Sequence, residues 1–154
     1  MNSDTFEQVI VKFQETSSQF VSANAKVIDD AITLVAQHHD RRSIGPLLSS
    51  LDDGAQEDAG MFSLIHAAEN FDDDTYVNEL LAILPQLVTK APKWASIVWM
   101  RGLNSENTRN IIVKKLREAD LNVKQSAAWL CKKINDRSPL FLSKTIPILL
   151  AIKQ

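Results

Sequence analysis

The sequence predicts an all-α protein of about nine helices, and three observations lead to this fold class. Apolar residues recur at intervals of three and four along most of the 154 residues, a spacing that places them on one face of a helix. Only four glycines and five prolines interrupt the chain, and β-branched residues nowhere alternate with polar ones over the length of a strand. We therefore expect consecutive helices to pack as antiparallel hairpins.

Three helices are predicted in the first third of the chain. Ser3 or Asp4 is placed to cap the first helix by accepting a backbone N–H, and Asn24 is placed to cap the second. The third is short and is expected to end near Gly54, because glycine readily adopts the left-handed conformation of many C-caps. The apolar faces are Phe6, Val9, Ile10, Phe13 and Phe20; Val27, Ile28, Ala31, Ile32, Leu34 and Val35; and Ile44, Leu47, Leu48 and Leu51.

Two helices are predicted in the middle of the chain. The first lies within Gln56–Asn70, and one of Asp72, Asp73 or Asp74 caps the second. We expect Pro85 to kink or divide that second helix, since proline removes a backbone hydrogen bond. The apolar faces are Met61, Phe62, Leu64, Ile65 and Ala68, and then Tyr76, Val77, Leu80, Leu81 and Leu84.

Four helices are predicted in the last third. Pro92 suits the first turn of the sixth helix, where its missing N–H is not needed. Ser105 begins the seventh helix, Asn122 opens the eighth, and Ser138-Pro139 begins the last. The apolar faces of the sixth, seventh and eighth are Trp94, Ile97, Val98 and Leu103; Ile111, Ile112 and Leu116; and Val123, Ala127, Leu130 and Ile134.

Similar aliphatic clusters return along the chain at intervals of about 31 to 33 residues, which is typical of stacked helical pairs. The clusters are Leu47-Leu48-Leu51, Leu80-Leu81-Leu84 and Ile111-Ile112-Leu116. Two architectures remain open: a curved, repeat-like stack of helical hairpins and an irregular bundle. In either case the length predicts a single domain over residues 1–154.

The cellular setting is predicted from what the chain lacks. Cys131 is the only cysteine, so it forms no internal disulfide and supplies no zinc site by itself. The first residues carry acid rather than the lysine or arginine of a signal peptide, and no apolar run approaches the length of a bilayer span. A cytoplasmic protein without a membrane-spanning segment is the prediction.

Charge is divided unevenly between the two halves of the chain. The net charge is only −2, but residues 1–84 carry fifteen acidic and four basic residues, a net of −11, and residues 85–154 carry a net of +9. Surfaces of one sign attract partners of the other. Taken one at a time, these charged residues are explained as acids that cap helices and as lysines on solvent-exposed helix faces. However, several acids lie close together in single turns between helices. A basic partner would offset that crowding.

The motifs of catalysis, nucleotide binding and cofactor binding are missing, so we predict no enzyme, no cofactor and no metal site. His66 and Glu69 have a spacing that serves metal ligation only when it is duplicated, and it is not. Cys131 and the tryptophans are interpreted as core residues. A minor hypothesis is that the basic residues of the C-terminal half form a nucleic-acid-binding surface, but the sequence contains no recognisable nucleic-acid-binding motif. Its bases would be Lys114, Lys115, Arg117, Lys124, Lys132 and Lys133.

Five stretches of the central sequence stand in a distinctive order and spacing: MFSLIHAAE (61–69), FDD (71–73), YV (76–77), APKWA (91–95) and MRGLNS (100–105). With these stretches the sequence resembles immunity protein family thirty, the cytoplasmic antitoxins of polymorphic bacterial toxins, including those of contact-dependent growth inhibition. The resemblance covers roughly residues 25–135. It departs at Trp99, where a histidine is expected, and at Gly102, where a larger aliphatic residue is expected.

The resemblance implies an all-α inhibitor that binds one cognate toxin 1:1, through the C-terminal domain of that toxin, as a monomer or weak dimer. Many such toxins are nucleases with basic grooves, so an acidic surface could occlude the groove, and we favour a ribonuclease. The predicted partner-binding residues are Asp52, Asp53, Glu57, Asp58, Asp72, Asp73, Asp74, Tyr76 and Glu79, with the tyrosine as an aromatic anchor. The motif residues Phe62, His66, Glu69, Trp94, Arg101 and Asn104 are interpreted as structural. The alternative is a helical-repeat scaffold that joins two host proteins.

Overall fold

The computed structural model describes residues 4–153, and the all-α prediction is confirmed. Nine α-helices and three short 3₁₀ turns follow one another, and the described range contains no strand. The helices are α1 (Phe6–Ser17), α2 (Ala25–Ala36), α3 (Ile44–Ser49), α4 (Asp58–Ala68), α5 (Asp73–Lys90), α6 (Pro92–Asn104), α7 (Glu106–Leu116), α8 (Leu121–Arg137) and α9 (Leu142–Ile152). The 3₁₀ turns are Phe20–Ser22, Arg41–Ser43 and Pro139–Phe141.

Several helices begin where the sequence places their start. Asn24, Asp72 and Ser105 cap α2, α5 and α7, and each accepts the backbone N–H three residues further on. Pro92 occupies the first turn of α6. These caps are local, since the acceptor and the donor lie within one turn of chain, and local signals are readable from sequence.

Two predicted starts are wrong. Thr5, not Asp4, caps α1, because Thr5 and the glutamine three residues later form a capping box that satisfies two backbone N–H groups at once. Ser3, the other candidate, lies outside the described residues. Asp120, not Asn122, caps α8, and the helix begins at the next residue.

The predicted end of the third helix also differs from the structure, and of the two effects predicted for Pro85, a kink or a division of the helix, the division does not occur. Helix α3 ends at Ser49, so Gly54 lies in the connection beyond it, and no glycine in the described range has a positive φ. Helix α5 continues through Pro85 as one element of 18 residues. Its neighbours Leu84 and Leu87 are buried, and their packing in the core outweighs the one backbone hydrogen bond that proline removes.

One hydrophobic cluster extends from α1 to α9. Trp94 and Trp99 are among its largest fully buried side chains, as predicted. Trp129 is not a core residue: it is 38% exposed on α8, and Lys133 Nζ lies 5.3 Å from the centre of its ring. In α9 the apolar face is divided, with Ile148 buried and Leu150 exposed.

The extensive contacts between helices join elements no more than three apart in chain order. The three aliphatic clusters fall on α3, α5 and α7, where α3 packs against α5 and α5 packs against α7. This is the order of contact that a stack of helical pairs has. No helix within residues 4–153 is both long enough and apolar enough to cross a membrane.

Candidate functional site

The acidic residues predicted to bind a partner fall into two groups at opposite ends of α4. The first group lies in the connection before α4 and at its first residue, and the second lies after it, at the start of α5. Helix α4 has 11 residues, so its ends are about 16 Å apart at the usual rise per residue. The first group is Asp52, Asp53, Glu57 and Asp58, and the second is Asp72, Asp73, Asp74, Tyr76 and Glu79.

Asp53, in the first group, caps a helix that is distant in sequence. Its Oδ2 accepts the backbone N–H of Lys93 at 2.9 Å, and its Oδ1 accepts that of Trp94 at 3.2 Å. Helix α6 needs this external cap because Ala91, which precedes it, has no side-chain acceptor. The Asp53 carboxylate therefore stabilises the N-terminus of α6.

The other members of the first group also contact the protein itself. Glu57 Oε2 accepts the backbone N–H of Ala25 at 2.8 Å, at the start of α2. Asp52 Oδ1 accepts the backbone N–H two residues further on, at 2.8 Å. Asp58 is exposed and lies 3.8 Å from Lys93 Nζ. Within residues 4–153, three of these four carboxylates accept backbone N–H groups, and that of Asp58 accepts none.

The second group is less committed to the fold. Asp72 caps α5 and accepts both the N–H and the hydroxyl of Thr75, and these bonds lower the pKa of its carboxyl. Asp74 is exposed and lies 3.1 Å from Lys115 Nζ. Glu79 is half-buried on the same helix. The carboxylates of Asp74 and Glu79 accept no hydrogen bond from a helix N-terminus.

A cavity of about 450 Å³ adjoins the second group. It lies where the end of α4, the first turns of α5, the last turn of α6 and the start of α7 meet. Its lining residues are Glu69, Asp73, Tyr76, Arg101, Gly102, Asn104, Ser105 and Thr108. Three stretches that carry the family resemblance, 61–69, 71–73 and 100–105, thus meet here, and two of the predicted partner-binding residues, Asp73 and Tyr76, lie in the lining.

An ion pair forms one side of this cavity. Arg101 donates from Nε and Nη2 to the two carboxylate oxygens of Glu69, at 2.9 Å and 2.6 Å. These hydrogen bonds raise the pKa of the Arg101 guanidinium. Both side chains are partly exposed, and the pair joins the end of α4 to the last turn of α6. This geometry agrees with the structural role predicted for both residues.

Asp73 and Tyr76 form the other side. Asp73 Oδ2 accepts the side-chain N–H of Asn107 at 2.6 Å. Tyr76 is only 4% exposed, and its hydroxyl has no hydrogen-bond partner. Burial, assisted by the charge of Glu69, raises the Tyr76 pKa well above its usual range, so the hydroxyl stays protonated. The ring belongs to the core, as its place on the apolar face of the helix predicts, and its role as an aromatic anchor for a partner stays a prediction.

The remaining motif residues lie outside the cavity. Phe62 packs edge-on against Trp94, with ring centroids 5.1 Å apart, and His66 is exposed. No group of three possible ligands among the described residues could hold a metal ion. Cys131 is buried beside Trp99, whose Nε1 lies 3.4 Å from its sulfur, and burial raises the pKa of the thiol to about 11. Its interpretation as a small core residue is confirmed.

The two oppositely charged halves of the chain meet at this site. Of the six ion pairs within the described range, three join an acid of residues 1–84 to a base of residues 85–154. They are Asp58 with Lys93, Glu69 with Arg101, and Asp74 with Lys115. The charge division is therefore partly neutralised where α4 and α5 meet α6 and α7.

Sequence reasoning listed most of the lining residues but did not bring them together. It assigned Asp73 and Tyr76 to a surface, Glu69, Arg101 and Asn104 to the framework, and gave the remaining three no role at the site. One available signal was the repeat interval, because Glu69 and Arg101 are 32 residues apart and Asp73 and Asn107 are 34 apart. Residues one interval apart occupy neighbouring hairpins of a stack.

Comparison with known proteins gives one match. The family model described as immunity protein 30 matches residues 17–112, which include every residue that lines the cavity. No curated protein and no solved structure matches the chain. Because the family model covers more than half of the sequence, the chain belongs to the immunity protein 30 family.

Proposed function

We propose that this protein is the immunity partner of a toxin, which it binds 1:1 in the cytoplasm and neutralises without catalysis of its own. The observation that carries the proposal is the family match over residues 17–112. The lack of a catalytic constellation in the sequence is compatible with an inhibitor that acts by binding.

The inhibitory surface that we propose is the second acidic group, centred on the first turns of α5. The first group is less suitable, because the carboxylates of Asp52, Asp53 and Glu57 accept backbone N–H groups of the protein itself. In the second group, Asp74 and Glu79 are at least partly exposed and carry no capping role. The charge of Glu79 is available to a basic partner, and such a partner can compete with Lys115 for the exposed carboxylate of Asp74.

We propose further that the toxin is a nuclease, and a ribonuclease in preference to a deoxyribonuclease. A nuclease groove must be basic because it holds phosphates, so an acidic protein surface can occupy the groove in place of the substrate. Inhibition would follow from occlusion of the groove or of the active site. Contact-dependent growth inhibition is the setting in which we expect this pair to act.

The experiment is co-expression of the chain with the product of the adjacent upstream gene, which we expect to be the toxin. We expect the two proteins to co-purify, and we expect the immunity protein to restore growth to cells that make the toxin. Failure of both would contradict the proposed function. Measurement of nucleic-acid cleavage by the purified toxin, with and without the chain, then tests the nuclease assignment separately.

A double variant tests the surface. Asp74→Asn with Glu79→Gln removes two charges from α5, and we expect weaker toxin binding with a smaller dependence on salt concentration. Asp29→Asn with Asp30→Asn removes two charges from exposed positions of α2 and is the matched control. Equal affinities for the two double variants would contradict the placement of the surface.

A further inference from the structure

The cavity beside α5 contains a polar group that the fold leaves unpaired. The Tyr76 side chain lines the cavity, and its hydroxyl is buried and has no partner among the described residues. An unpaired buried hydroxyl destabilises a free protein, and most buried polar groups are therefore paired. A partner group that enters the cavity would relieve this cost.

A second unused acceptor lies on the same side. Asp73 uses Oδ2 to accept the bond from Asn107, and its Oδ1 accepts no hydrogen bond within the described range. The two groups are three residues apart on α5, so they face the same way. Together they offer a carboxylate oxygen and a phenol oxygen to a donor.

The charges in the lining favour a cation over an anion. The lining carries two carboxylates, Glu69 and Asp73, against one guanidinium, Arg101. Arg101 is held by Glu69 through two hydrogen bonds, so this pair is internally neutralised and Asp73 supplies the remaining charge. An entering carboxylate would lie next to Asp73 without compensation, whereas an entering lysine or arginine would be paired.

The size of the cavity also fits a side chain. Its volume of about 450 Å³ is many times the roughly 30 Å³ that one water occupies in the liquid.

We propose that this cavity receives a lysine or arginine side chain of the toxin, whose donors bind Asp73 Oδ1 and the Tyr76 hydroxyl oxygen. This inference rests on the proposed function. The protein would thereby sequester a basic side chain that the toxin needs for phosphate, rather than only cover the groove that contains it. The Asp73 carboxylate and the adjacent ion pair are already in place before binding, so these groups need little ordering.

Two conservative variants separate binding from folding. Tyr76→Phe removes only the unpaired hydroxyl, so we expect an unchanged or higher melting temperature together with roughly fivefold weaker toxin binding. Asp73→Asn keeps an oxygen for Asn107 but removes the charge, and we expect binding weaker by at least about tenfold. Asp29→Asn is the charge-matched control, with wild-type affinity expected.

Tyr76→Phe is expected to weaken toxin binding without lowering the melting temperature. This combination is diagnostic, because replacing a purely structural residue would lower stability and binding together. If the wild-type chain binds the toxin and both variants bind within about twofold of it, the cavity proposal is overturned while the proposed function stands. If the wild-type chain does not bind the toxin, the proposed function fails first.

A small-molecule probe tests the cavity without any toxin. The probes are N-acetyl-arginine methylamide and, as the anionic counterpart, N-acetyl-glutamate methylamide, each titrated through the millimolar range. We expect the arginine probe to shift the backbone amide resonances of Gly102, Ser105 and Thr108 saturably, and we expect Asp73→Asn to abolish the shift. No shift with the arginine probe, or an equal one with the glutamate probe, would mean that the cavity holds only water or lacks selectivity, and either result overturns the proposal.

Discussion

Replacing Asp53 with alanine tests whether this residue belongs to the fold or to a partner surface. The change leaves the backbone N–H groups of Lys93 and Trp94 without the acceptors they have at 2.9 and 3.2 Å. Loss of a helix cap costs about 1 to 2 kcal/mol, and loss of a negative charge at a helix N-terminus contributes to this cost. For a chain of this size, each kcal/mol lowers the melting temperature by about 2 to 4 °C. We therefore expect Asp53→Ala to lower it by roughly 2 to 8 °C.

The assay is thermal unfolding followed by circular dichroism, with two companion variants. Asp53→Asn keeps one oxygen acceptor and should lose less than half as much stability as Asp53→Ala. Asp58→Ala removes only an exposed ion pair with a 3.8 Å separation, so its melting temperature should stay within about 1 °C of wild type. Equal melting temperatures for Asp53→Ala and Asp58→Ala would refute the capping role.

Three further predictions concern other parts of the molecule. Hydrogen bonds from Arg42 lower the Asp40 pKa to about 2, below its unfolded value near 3.9, so this carboxylate contributes stability above pH 4 that is lost as the pH falls towards 2. In urea unfolding between pH 2 and 5, Asp40→Asn should therefore lose less stability on acidification than the wild type does. An identical loss in both proteins would contradict this link between protonation and stability. Cys131 should resist iodoacetamide at pH 8 in the native protein and react in denaturant, as judged by mass spectrometry, because it is buried with a pKa of about 11; rapid native labelling would contradict its burial. Gly60→Ala should lower the free energy of unfolding in urea by about 1 kcal/mol, because the added Cβ would clash with Ile28 Cδ1 in the core. The strain of this clash should exceed the gain in helix propensity from alanine. An increase in stability would contradict the prediction and show that Ile28 moves aside freely.

The helices were predictable because their signals are local. Apolar spacing at three and four residues identified the first eight, Ser138-Pro139 indicated the ninth, and the caps Asn24, Asp72 and Ser105 act within one turn of chain. The errors at Asp4 and Asn122 arose from competition between nearby polar residues, which geometry rather than residue type decides. The predicted break at Pro85 failed because burial of its neighbours outweighs a local preference.

The site was only half predictable, because its geometry depends on contacts between hairpins. Asp53 and Glu57 look like members of an acidic patch until α6 and α2 are placed beside them. Tyr76 looks equally suited to a surface and to a core, and only the packing of α5 against α7 and α8 assigns it to the core. The sequence did contain the repeat interval of about 31 to 33 residues. Ala25 and Glu57, which share a hydrogen bond, are 32 residues apart, and so are Trp99 and Cys131.

The capping acids change how the charge division of the chain should be interpreted. Crowded acids in one turn suggested a partner, on the reasoning that each helix needs a single cap. In a stack of hairpins, however, one connection can cap several helices, and the turn before α4 supplies Glu57 to α2 and Asp53 to α6. Part of the −11 charge of residues 1–84 is thus explained by folding alone. Among the acids that accept no backbone N–H in residues 4–153, Asp73, Asp74 and Glu79 lie together along the first turns of α5. If charge serves recognition in this protein, the loss of affinity on neutralisation should concentrate at these three residues, although residues 1–84 carry fifteen acids.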